Sequence, residues 1–145
     1  MRIMTTGKKY KCKCKVKSAK RKTTMQNSKL ELKHRAYVFA LEIIKFIDIL
    51  SQNQSSKIIA NQLIRSATSI GANVIEAQAC GTKKDFTNFF NHALKSANET
   101  KFWLGLLRDS GKAKEERVNQ LLKETTELAN ILGSSILTLK GKRKL

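Results

Sequence analysis

From Arg65 to Ala77 the chain reads Arg-Ser-Ala-Thr-Ser-Ile-Gly-Ala-Asn-Val-Ile-Glu-Ala, which joins helical periodicity to a high density of small residues. Apolar positions recur at Ile59, Leu63, Ala67, Ile70, Val74 and Ala77, the three- and four-residue spacing of one stripe on an α-helix. Ser66, Ser69, Gly71 and Ala72 keep the rest of the surface thin. A glycine inside a helix costs about 1 kcal/mol relative to alanine. Gly71 and Ala72 are therefore predicted as helix-packing positions, with a neighbouring backbone passing too close to Gly71 for a side chain.

The rest of the chain extends this pattern into an all-α fold. Proline is absent and only 7 of 145 residues are glycine, while helix formers dominate and the hairpin dipeptides Asn-Gly and Asp-Gly are missing. A chain of this length buries a core without disulfides or metal. Helix 1 is predicted from a capping box, Ser28 with Glu31, to about Leu50. Its stripe is Ala36, Phe39, Ala40, Ile43, Phe46, Ile47 and Leu50. Ser55 or Ser56 is expected to cap helix 2, which runs to about Ala79 and stops at Gly81. Thr82 with Asp85 forms a second capping box and opens helix 3, which carries Phe86, Phe89, Phe90, Ala93, Ala97, Leu104 and Leu107. Helix 4 spans about Lys114 to Leu139. Helices 2 and 3, joined by so short a turn, must be antiparallel neighbours, and the whole reads as an antiparallel up-down-up-down four-helix bundle. Counting outward from Thr82, Arg65 and Glu99 each lie 17 residues away, which predicts a structural salt bridge between them.

The formal charge of +18 is unevenly placed. Residues 1–24 hold ten Lys and Arg and no acid, residues 140–145 hold four, and residues 25–139 hold 15 basic and 11 acidic residues. Three parts follow: a disordered, lysine-rich N-terminal tail over 1–27, a bundle over 28–139, and a basic C-terminal tail over 140–145. The tail has no apolar run suited to a signal peptide, and no segment is apolar enough to span a membrane. Met25 stands just before the first helical pattern and is an alternative translation start. The odd count of 3 cysteines and the missing secretion signal fit a cytoplasmic protein.

Chemistry-bearing motifs are sparse. Cys12-Lys13-Cys14 has the wrong spacing for zinc, and Cys80 reads as a small hydrophobe. Glu31-Leu32-Lys33-His34 has the di-iron Glu-x-x-His spacing, but His92 is preceded by Phe89 at the matching position, so the second motif fails. Glu76 lies too far along the axis from Glu99 for a shared acid and base site. No phosphate-binding loop is present. The chain is expected not to be an enzyme and to need no metal or cofactor. Phe102 and Trp103 cannot both point inward, so one is expected on an interface or an exposed apolar patch.

Arg65 to Asn73 with Glu76-Ala77, then Lys83-Lys84-Asp85-Phe86, then Ala97-Asn98-Glu99-Thr100 with Trp103-Leu104, together resemble the bacterial family of proteins encoded in intervening sequences of 23S ribosomal RNA genes. The resemblance covers about residues 30–139. It implies a four-helix bundle that assembles as a homopentamer and supplies no catalytic residues. A related branch comprises accessory proteins of diversity-generating retroelements, which implies RNA, DNA or a reverse transcriptase as partner.

The reading favoured by the sequence is a non-enzymatic homo-oligomer bound to RNA or DNA through backbone electrostatics. Lys140, Lys142, Arg143 and Lys144 are its foremost candidate contacts, with Lys83 and Lys84 second. The alternative is a protein-binding scaffold or adaptor, including a reverse-transcriptase accessory protein.

Overall fold

The computed structural model describes the backbone of residues 15–141 and the side chains of residues 31–141. Contacts divide the chain into two compact units, Met1–Leu30 and Glu31–Leu145. The first contributes helical backbone from Lys15 onward; the second is the bundle. Four helices are found among the described residues: α1 (Lys15–Asp48), α2 (Gln54–Ala79), α3 (Lys83–Asp109) and α4 (Glu115–Leu139).

The start of α1 departs from expectation. Ser28 and Glu31 lie inside a continuous helix rather than at its beginning. No glycine or proline separates Lys15 from Asp48, and lysine, alanine, arginine and glutamine all propagate a helix readily. A capping box permits a start but does not compel one. The remaining tail, residues 1–14, lies outside the described residues.

The cap of α2 is also displaced. Asn53, not Ser55 or Ser56, is the N-cap, its Oδ1 accepting from Ser56 N at 2.9 Å. At the other end α2 stops as expected at Ala79, but through an extended Cys80. Gly81 is not in the left-handed region, which among the described glycines holds only Gly111 and Gly141. Thr82 does cap α3: its Oγ1 accepts from Asp85 N at 3.1 Å and its hydroxyl donates to Asp85 Oδ2 at 2.6 Å. Helix α3 closes in a Schellman turn, with Lys112 N–H donating to Leu107 O and Gly111 N–H to Arg108 O, both at 3.0 Å. Gly111, at φ +66°, takes the left-handed position that this motif reserves for glycine.

The apolar stripes meet in one core. Phe39, Ile43 and Phe46 of α1, Leu63, Ile70 and Val74 of α2, Leu104 and Leu107 of α3, and Leu128 and Leu132 of α4 are all buried. Helix α3 packs on both α2 and α4. Helix α1 meets α2 where Ala36 faces Gly71, and meets α4 through ion pairs. Each helix therefore has two neighbours, and α1 and α3 occupy opposite corners.

Gly71 lies at a close approach, though a looser one than expected. A Cβ built there would stand 3.8 Å from Ala36 Cβ and 3.9 Å from its carbonyl carbon, which is ordinary contact rather than a clash. Ala72 is exposed.

Candidate nucleic-acid interface

The alternating helix directions bring the α2–α3 turn, the entry into the bundle at Glu31 and the end of α4 to one end of the bundle. Lys83 and Lys84 open α3 there and are exposed, as is Lys140 just beyond α4. Lysines in a first turn oppose the helix dipole, whose positive end lies there, at a cost of a few tenths of a kcal/mol. Their position is thus not explained by the stability of α3. Asp85 is the acidic residue of that turn. Lys140 follows a helix C-terminus, where a cation is favoured. Lys142, Arg143 and Lys144 lie outside the described residues.

The expected salt bridge is not formed: Arg65 and Glu99 are both exposed, and no ion pair joins them. Glu99 Oε1 instead accepts from Trp103 Nε1 at 3.3 Å. The levels were nevertheless right to within a residue or so. Thr100 Oγ1 donates to Ser66 Oγ, and Ser96 Oγ to Ser69 Oγ, each at 3.0 Å. Arg65 and Glu99 are each one residue from the Ser66 and Thr100 pair. A single step turns a helix by about 100°, which carries both charges off the shared face.

The aromatic pair resolves as expected, with Phe102 exposed and Trp103 half-buried, their rings in edge contact at 4.9 Å. Cys80 is half-buried, and its thiol is pushed up mainly by desolvation, then by Asp85 and Glu76. His34 and Glu31 are exposed. Among the described residues no three His, Cys, Asp or Glu gather as a metal site, and no helix is long and apolar enough to cross a membrane.

Sequence reasoning missed the polar seam between α1 and α4. The Arg35 guanidinium grips Glu124 with two bonds, Nε to Oε1 at 2.6 Å and Nη2 to Oε2 at 2.9 Å, and also bonds Glu127. Two turns along, Arg117 bonds Glu42. The hydrogen bonds from Arg117, then Lys45, hold the Glu42 carboxyl below its usual range, and that from Arg35 does the same for Glu127.

Described residues that form four antiparallel helices closed on one apolar core define a four-helix-bundle protein. The family described as 23S rRNA-intervening sequence protein matches residues 28–134. A crystal structure from Bacteroides thetaiotaomicron, described as a protein with unknown function from the S23 ribosomal protein family, is 35% identical, covering 74% of this chain and 96% of that one at a TM-score of 0.70. No curated protein matches. The chain belongs to the 23S rRNA-intervening sequence protein family.

Proposed function

We propose that this protein is a non-enzymatic, cytoplasmic homo-oligomer that associates with RNA through the basic end of its bundle. The observation that carries the reading is topological: the bundle puts Lys83, Lys84 and Lys140, all exposed, at one end. Cations gathered at one end neutralise neighbouring phosphates and release counterions, which gives affinity without base recognition. Oligomerisation multiplies each subunit's contribution through avidity.

Self-association is supported by two apolar stripes that the bundle does not use. Tyr37, Leu41 and Ile44 follow helical spacing along α1 and are exposed, and Phe102 and Leu106 do the same on α3. Because α1 and α3 stand at opposite corners, the stripes face away from each other. A copy that lays one stripe on the other of its neighbour builds a head-to-tail assembly, which closes as a ring when the rotation permits.

Binding of a structured RNA by the full chain across a salt series tests the nucleic-acid reading. Reversing Lys83, Lys84 and Lys140 to glutamate is expected to weaken binding at least tenfold and to flatten the salt dependence by roughly 0.7 to 0.9 per lost phosphate contact. Unchanged affinity and slope in that variant would sink it.

A further inference from the structure

The opposite end of the bundle carries a different kind of surface. A depression of about 690 Å³ opens between the end of α1 and the α3–α4 turn, with Phe46, Leu50 and Ala113 among its lining. Phe46 and Leu50 are buried, so the floor is part of the apolar core. Ile49 stands on the rim at 75% exposure, the highest of the large apolar side chains described. The remaining charged lining is Lys112, Lys114 and Arg117, with no carboxylate.

Arg117 is already engaged, bonding Glu42 and donating to Gln120 Oε1 at 3.1 Å. Lys112 and Lys114 make no ion pair. Lys114 does not suit the helix it adjoins. Lys114 is the N-cap of α4 and supplies no side-chain acceptor, where serine, threonine, aspartate or asparagine would stabilise the helix by about 1 kcal/mol. Lys112 follows the C-terminus of α3, where a cation is favoured. The turn holding them is fixed by the Schellman bonds to Leu107 and Arg108, so these cations stand at a preformed rim. Glu115 and Glu116 follow on α4, and Asp48 ends α1, but none of the three lines the depression.

An apolar floor, a projecting isoleucine and two unpaired lysines complement a ligand with an apolar group beside negative charge. We propose that this depression is a docking site for an acidic segment of a partner protein, which seats an aliphatic or aromatic side chain on Phe46 and Leu50 and sets adjacent carboxylates against Lys112 and Lys114. The partner's apolar group covers Ile49, and its carboxylates find charge-assisted bonds at a rim that is already ordered. The site is independent of the nucleic-acid reading and lies at the other end of the bundle. The molecule then has the two-ended form of an adaptor.

The test is fluorescence anisotropy of a labelled, end-blocked peptide in which glutamate alternates with leucine and one phenylalanine. A matched peptide carries serine at every apolar position. The full chain is compared with Ile49→Ser, with Lys112→Glu/Lys114→Glu, and with Lys83→Glu/Lys84→Glu, whose net charge changes by the same amount. All these side chains lie at the surface, and circular dichroism confirms retained helix. The expected result is at least tenfold weaker binding for Ile49→Ser, for Lys112→Glu/Lys114→Glu and for the serine peptide, with Lys83→Glu/Lys84→Glu within about twofold of the parent. RNA affinity of Lys112→Glu/Lys114→Glu should stay within about threefold. Equal loss in both double variants, or indifference to the apolar residues, would reduce the effect to bulk charge and overturn the site. Loss of RNA binding in Lys112→Glu/Lys114→Glu would overturn it too, by making these lysines part of a nucleic-acid surface. If peptide binding behaves as expected while the Lys83, Lys84 and Lys140 variant keeps its RNA affinity, the docking site stands and the nucleic-acid reading falls.

Discussion

A methyl group added at Gly71 and one added at Gly111 meet opposite physics. At Gly71 the backbone is helical and Ala36 stands at ordinary contact distance, so Gly71→Ala gains helix propensity without a clash. It should raise stability by about 1 kcal/mol. At Gly111 nothing obstructs the methyl, but φ is +66°, and an L-residue held there costs about 1 to 2 kcal/mol. Gly111→Ala should therefore lower the urea midpoint while Gly71→Ala raises it; a shift in the same direction for both would refute this account. Ser66 and Thr100 make a related point about size. The Ser66 hydroxyl donates to Leu63 O on its own helix at 3.1 Å, and the single Thr100 hydroxyl proton, shared between Ser66 Oγ at 3.0 Å and Ser96 O at 2.8 Å, keeps the second acceptor when Ser66 Oγ is removed. Ser66→Ala thus strands no partner and should cost no more than about 1 kcal/mol. Ser66→Leu forces α2 and α3 apart and should cost about 1 to 3 kcal/mol. Small side chains, more than the bond between them, set this helix spacing.

Between elements, the sequence disclosed what short turns control and hid what only closure of the bundle creates. The stripes of α2 and α3 and the level of Ser66 against Thr100 follow from periodicity and a turn only a few residues long. The start of α1 was misplaced because Ser28 and Glu31 satisfy a local rule that a run of helix formers overrides. The seam of α1 and α4 was invisible because Arg35 and Glu124 are 89 residues apart, and no single turn fixes their relative level. Lys83, Lys84 and Lys140 could be found as charges, but their common end required the topology. The seam also sets an acid response. Glu42 and Glu127 sit below the ordinary value of 4.5 when folded. Such groups add stability that is fully present above the unfolded pKa and is lost as pH falls through the folded one. Stability should therefore decline on acidification from about pH 4.5, and Glu42→Gln/Glu127→Gln should be less stable at neutral pH with a flatter acid slope. Because these groups are solvent-exposed the effect is modest; parallel pH profiles for variant and parent in thermal melts would rule it out.

For the whole molecule, the argument turns on surface that a lone bundle has no reason to keep apolar. Scattered exposed hydrophobic residues are normal, but Tyr37, Leu41 and Ile44 form a stripe two turns long, and Phe102 with Leu106 forms another at the opposite corner. Unlike stripes facing away from each other favour unlike pairing, and so a ring or an open chain rather than a two-fold dimer. In the head-to-tail assembly proposed above every contact uses both stripes, so charging one should be enough to dismantle it. Leu41→Glu/Ile44→Glu is expected to sediment as a monomer with unchanged helix content. Its RNA affinity near 150 mM salt should fall more than tenfold although no lysine has been touched, because linked sites lose their effective concentration when separated. A variant that keeps the parent's mass would exclude the α1 stripe from the interface. A monomer that binds RNA as tightly as the parent would separate assembly from binding and leave the basic end of a single bundle as sufficient.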